Sequence, residues 1–135
     1  DLSEKTINQF SSKDPMEKKS NVDLCRKIKA TFFSWIVDDG DYSKSWDNAS
    51  KLFQMTIGKE EWVELEQATR KPLGKVVSRE VVDERVAKNP KGLPVGNYMV
   101  LFYNTSFTNR KSAHELVTLM QESDGKWRVL TYHVD

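Results

Sequence analysis

The change of hydrophobic period at Lys75 constrains this chain more than any other feature. Before it, apolar residues recur at helical spacing; after it, they recur at every second residue. Side chains three or four apart share a helix face, whereas side chains two apart share a strand face. A chain that switches once builds helices first and an antiparallel sheet second, which is an α+β order.

The helical half divides at its breakers. Leu24, Ile28, Phe32, Trp35 and Ile36 form one amphipathic stripe, with Asn21 or Asp23 available as N-cap. Asp38-Asp39-Gly40-Asp41 ends it, Gly40 being suited to a helix C-terminus. Tyr42, Trp46, Ala49 and Phe53 then share a face of a second helix, so close to the first that the two form a hairpin. Thr56 or Gly58 opens a third helix, with Glu60 and Glu61 in its first turn, where the helix dipole favours acids. Its buried face is predicted to be Trp62, Leu65 and Ala68 or Thr69, and Pro72 with Gly74 ends it.

Four strands follow. Residues 76–86 are rich in Val interleaved with charge, and Asn89 to Pro94 reads as a loop. Tyr98 to Phe107 is apolar on both faces at its centre, as befits a central strand covered on both sides. A turn is expected at Asn109-Arg110-Lys111, then a strand from Ala113 to Gln121. Asp124-Gly125 is a hairpin signal, and Trp127 to Val134 closes the sheet. The architecture expected is three N-terminal helices on one face of a curved, cone-like, four-stranded antiparallel meander.

With 135 residues, the chain suits one domain, 21–135, preceded by a polar arm, 1–20, that contains Pro15 and a Lys-rich end. Lys+Arg 21 against Asp+Glu 20 leaves a net charge of +1, and no basic stripe is evident, so nucleic acid is not an expected partner. Cys25 is the only cysteine, which excludes an internal disulfide and a multi-cysteine zinc site. No run approaches the ~20 apolar residues of a membrane helix. The chain begins at Asp1 without an initiator Met, as an exported chain stripped of its signal would, so periplasmic or secreted placement is the expectation.

Several blocks occur in an order that resembles a known family. Trp35-Ile36-Val37-Asp38-Asp39-Gly40-Asp41-Tyr42-Ser43-Lys44-Ser45-Trp46 is one, and Arg70-Lys71-Pro72-Leu73-Gly74-Lys75-Val76-Val77-Ser78-Arg79 is another. Leu93-Pro94, Gly96-Asn97-Tyr98, Thr105-Ser106-Phe107, Glu115 and Asp124-Gly125-Lys126-Trp127 continue the series. Over roughly residues 30–135 the chain is similar to a bacterial family catalogued as domain of unknown function 4019. That resemblance implies a single domain, often behind an export signal, with a likeness to the nuclear-transport-factor-2-like cone. It implies no established activity. His114 departs from the pattern, where a small or apolar residue is expected.

Catalytic machinery is not apparent, and neither a cofactor nor a metal is expected. There is no phosphate-cradling glycine loop or nucleophile elbow. His114 and His133 fall on neighbouring predicted strands, but two ligands do not make a catalytic zinc site. Asp38, Asp39 and Asp41 lack the ligand spacing of a calcium loop, and helix termination and capping account for them. Arg79 and Glu115 are the notable charges: each sits in an apolar strand pattern, and a buried carboxylate needs a partner, so a bridge across the sheet is expected. Alternatively Arg79 and Arg70 form the anion-binding end of a pocket, with Glu115 orienting a ligand and Tyr42, Trp46 and Trp62 lining the wall.

Two functions are therefore expected to compete. The first is a non-catalytic binding or protein-interaction module of the cell envelope or secreted space, acting through a protein partner or as a homodimer. The second is a small-molecule cavity protein, in its enzymatic form working by proton transfer.

Overall fold

The computed structural model of the protein describes residues 36–135. The expected arm, and the expected first helix up to Trp35, lie outside the described residues. Among the described residues three α-helices precede four strands: α1, Tyr42–Asp47; α2, Lys51–Thr56; α3, Lys59–Thr69. A 3-10 turn, Lys71–Leu73, leads into β1, Val76–Lys88; β2, Asn97–Phe107; β3, Arg110–Gln121; and β4, Trp127–Val134. The strands form one open antiparallel sheet in the order β1-β2-β3-β4, the meander expected from the sequence.

The expected second helix is two helices. A continuous helix would send the Ser50 amide to Trp46, but Ser50 N–H donates instead to the Val129 carbonyl on β4 at 2.9 Å. The Ser50 hydroxyl then caps α2 by accepting from the Phe53 amide at 3.1 Å. Asp41 caps α1 in the same way, accepting from the Lys44 amide at 3.2 Å. The buried face of α3 also differs from expectation. Leu65, Ala68 and Thr69 are exposed, and Trp62 and Glu66, followed by Arg70 at the C-cap, point inward. The face is polar because the sheet beneath it is charged there.

The main core joins Val37, Tyr42, Ala49, Phe53 and Trp62 to Met99, Leu101, Tyr103, Val117, Leu119, Val129 and Tyr132 of one sheet face. On the other face Tyr98, Val100, Leu116 and Leu130 form a second cluster, packed with Leu52 of α2 and Leu93 of the β1–β2 loop. The doubly apolar β2 is thus buried on both sides, and Tyr98 anchors the loop by donating to the Pro94 carbonyl at 2.7 Å. The β2–β3 turn sits one residue earlier than expected, at Thr108-Asn109, since Arg110 already pairs with Phe107. Asp124-Gly125 makes its turn as expected, with Gly125 at φ 82°.

Two bulges in β1 position the site. Pairing with β2 skips Val77 and Val82. Strict alternation would send Arg79 outward whenever Val76 faces inward, and Val86 outward whenever Val81 does. Each bulge absorbs one residue, so Val76, Arg79, Val81 and Val86 all reach the core face while Val77 and Val82 are left exposed. The bulges also roughen the edge of the sheet against pairing with another chain.

Gly74 closes the connection into β1. Its backbone, φ 84° and ψ −150°, lies in a region that only glycine occupies readily. A Cβ there would stand 2.0 Å from Thr108 Oγ1, the atom that accepts from the Lys75 amide. Gly74→Ala is expected to destabilise the fold by about 1–3 kcal/mol from the backbone alone. Thermal unfolding checks this, and an unchanged midpoint would refute it.

Candidate functional site

The ionisable groups of the core converge under the C-terminal end of α3. Arg79 reaches the core face through the first β1 bulge, and its guanidinium meets two carboxylates. Its Nε donates to Glu115 Oε1 at 2.8 Å and its Nη2 to Glu115 Oε2 at 3.3 Å. Nη1 and Nη2 also reach Asp38 Oδ2 and Oδ1, each at 3.1 Å. The planar fork of arginine can hold two carboxylates edge-on in this way.

Glu115 lies on β3, directly opposite Tyr103 of β2 and Val134 of β4. Its side chain is 0% exposed, against 12% for Arg79. Besides Arg79, it accepts from the Thr105 hydroxyl and the Tyr132 hydroxyl, both at 2.5 Å. Four donors thus surround a carboxylate that burial alone would disfavour. Burial would lower the Arg79 pKa, yet its hydrogen bonds to Asp38 and Glu115 and their charges hold it above the ordinary arginine value. Burial raises the Tyr132 hydroxyl well above the ordinary tyrosine value, and the Glu115 charge adds to this.

Arg70, at the C-cap of α3, is equally enclosed. Its Nη1 donates to the Gly74 carbonyl at 2.7 Å, its Nη2 to Asp38 Oδ1 at 3.4 Å, and its guanidinium lies 4.5 Å from the centre of the Phe107 ring. Asp38 therefore ties both arginines to the turn that precedes α1.

Glu66, one helical turn before Arg70, is the third acid. Its Oε2 accepts from the Thr69 hydroxyl at 3.1 Å, while its Oε1 has no hydrogen-bond partner among the described residues. Burial pushes its pKa up to about 7; the Thr69 bond and the Arg70 charge offset this only in part.

The six residues singled out from sequence thus separate into two groups. Arg70, Arg79 and Glu115 come together, and the Arg79–Glu115 bridge forms as expected. Trp46 and Trp62 serve helix packing: Trp46 donates its indole N–H to the Ile57 carbonyl at 2.9 Å. Trp62 donates to the Ser45 hydroxyl at 2.8 Å and packs edge-on against Phe53. Tyr42 lies in the main core, its pKa raised by burial and lowered by the Arg70 charge. Sequence reasoning missed Asp38, Glu66, Thr105 and Tyr132. Asp38 reads in the sequence as a helix-ending residue, whereas Glu66 is legible from its i, i+4 spacing between Trp62 and Arg70.

A shallow cavity of about 260 Å³ lies at one end of the sheet; Ser78, Glu80, Asn104, Ser106 and His114 on its lining alternate with Arg79, Thr105 and Glu115 along the strands, so it opens on the face opposite the charge cluster. A larger groove, about 410 Å³, runs between α2 and the β3–β4 hairpin, with Val95 on its lining. His114 and His133 occupy exposed positions, and His114 Nδ1 lies 3.7 Å from Asp135. No group of three or more His, Cys, Asp or Glu is placed to hold a metal ion among the described residues. Nor is any helix among them long and apolar enough to cross a membrane.

The sequence model of a family described as a protein of unknown function (DUF4019) matches residues 29–132. No curated protein matches the chain.

Proposed function

We propose, for a chain that belongs to the protein family of unknown function DUF4019, a non-catalytic binding or protein-interaction module of the cell envelope or secreted space. One observation carries this reading: Arg79 is clasped between Asp38 and Glu115, so the charges best placed for chemistry are spent on one another. A catalytic or anion-binding arginine keeps donors for its substrate, whereas this one pins β1 to β3 and to the turn before α1. The reading takes the fold as the bacterial version of a nuclear-transport-factor-2-like cone, with association as a homodimer or with a protein partner. The groove beside Val95 is the proposed contact, since it sets Val95, 86% exposed, among the charged side chains of Lys51, Glu122, Asp124 and Arg128, an apolar centre with a polar rim.

Native mass spectrometry of the protein purified gently from its own cells, set against a denaturing spectrum, tests this. A dimer or a complex of fixed stoichiometry is expected, weakened roughly tenfold or more by Val95→Glu. A small-molecule mass excess on a monomer would overturn it. That outcome would favour the second reading, a small-molecule cavity protein, for which the polar cavity lined by Ser78, Ser106 and Ser112 is the supporting feature.

A further inference from the structure

Among the described residues, the charges beneath α3 do not balance. Arg70 and Arg79 answer Asp38 and Glu115, which leaves a neutral set of four. Glu66 is a fifth group in the same place, 2% exposed, and it makes no ion pair among the described residues. Its Oε1 has no hydrogen-bond partner among them, and neither has Arg70 Nε one turn along the helix. An ionised carboxylate so placed would be an unpaired buried charge, whereas a protonated one is merely a polar group.

We propose that Glu66 is a proton-held latch: with its proton it leaves Arg70 to Asp38 and Gly74, and without it it competes for Arg70 and loosens the end of α3. The contact most open to competition is Arg70 to Asp38, whose 3.4 Å is the longest ion pair in the cluster. Residues four apart on a helix are neighbours, so Arg70 can reach Glu66 by a rotamer change.

Among the described residues, the groups that decide the titration come from α1, α3, the turn before α1 and all four strands. Arg70 favours the ion and Glu115 of β3 opposes it. Tyr42 of α1 and Tyr132 of β4 feel the Glu66 charge, while Asp38 and Arg79 of β1 act through Arg70 and Glu115. Tyr103 of β2, held neutral by burial, adds no charge. The near-neutral pKa of Glu66 follows from this enclosure. Because the folded value, about 7, exceeds the ordinary 4.5, the stabilisation is fully present below pH 4.5 and is lost as pH rises to about 7.

The test is urea unfolding of the wild type and of Glu66→Gln at pH 5 and pH 8. Wild-type folding should weaken between these pH values by on the order of a hundredfold more than that of the variant. Parallel pH dependence in the two proteins would overturn the proposal. Should Glu66→Gln not fold, the carboxyl carbon of Glu66 can be titrated by NMR in the wild type: a midpoint near neutrality supports the latch, and one near 4 refutes it. Amide exchange, corrected for its intrinsic pH dependence, locates the loosening. Protection should fall at the end of α3 and in the Asp38 turn; a uniform loss across the sheet would overturn the assignment to α3.

Discussion

Arg79→Ala should unfold at a temperature lower by roughly 10–20 °C, a loss of about 3–5 kcal/mol. The reason is what the arginine leaves behind. Glu115, fully enclosed, would keep its bonds from Thr105 and Tyr132 but lose its cation, and Asp38 would keep only the longer contact from Arg70. Breaking one side of a buried pair costs more than the pair itself contributes, because the remaining charge has no water to turn to. Replacing both partners, Arg79→Met with Glu115→Gln, should therefore recover more than half of the loss. Thermal melts of the wild type and these two variants read this directly. If Arg79→Ala melted within a few degrees of the wild type, the bridge would not be structural. The cluster would then have to be reread as a ligand site.

Trp62→Ala is expected to cost a comparable amount, about 3–5 kcal/mol. Trp62 is the largest side chain that α3 contributes to the core, and its ring meets Phe53 edge-on with centroids 4.9 Å apart. Its indole N–H donates to the Ser45 hydroxyl, which itself donates to the Tyr42 carbonyl at 2.6 Å, so the substitution removes packing and the end of a hydrogen-bond chain together. Trp46→Ala should cost less, since Trp46 is only partly buried and lies at the margin of the same core. Denaturant midpoints of the two variants give the comparison. A Trp62→Ala protein as stable as wild type would mean that the indole lines a cavity wall, contrary to its contacts.

The relation between the cluster and its sequence explains why only part of it was legible. Arg79 and Glu115 could be paired in advance because each interrupts an apolar strand pattern, and a buried carboxylate has few alternatives to a cation. Asp38 offered no such signal: next to Asp39, Gly40 and Asp41 it resembled one more helix-ending residue. Its role depends on Arg79 reaching inward, which depends in turn on the bulge at Val77. Glu66 is hidden in the sequence because Leu65 beside it is the more apolar residue, and apolar residues are ordinarily the ones buried. The sheet beneath α3 presents charge at that point, and this rotates the helix to bury Glu66 and expose Leu65.

The sequence by itself determined whatever depends on neighbours along the chain. The period switch at Lys75, the glycine turns at Asp124-Gly125 and Gly74, the strand order of the meander and the N-cap at Asp41 all rest on spacing and on backbone preferences of single residues. Tertiary structure decided what depends on distant groups. The break at Ser50 exists because Val129 takes its amide, and the bulges at Val77 and Val82 exist because β2 dictates which β1 residues face the core. The five-membered charge cluster follows from both. A one-residue shift along a strand exchanges its buried and exposed faces, and only the partner strand, not the local pattern, selects between them.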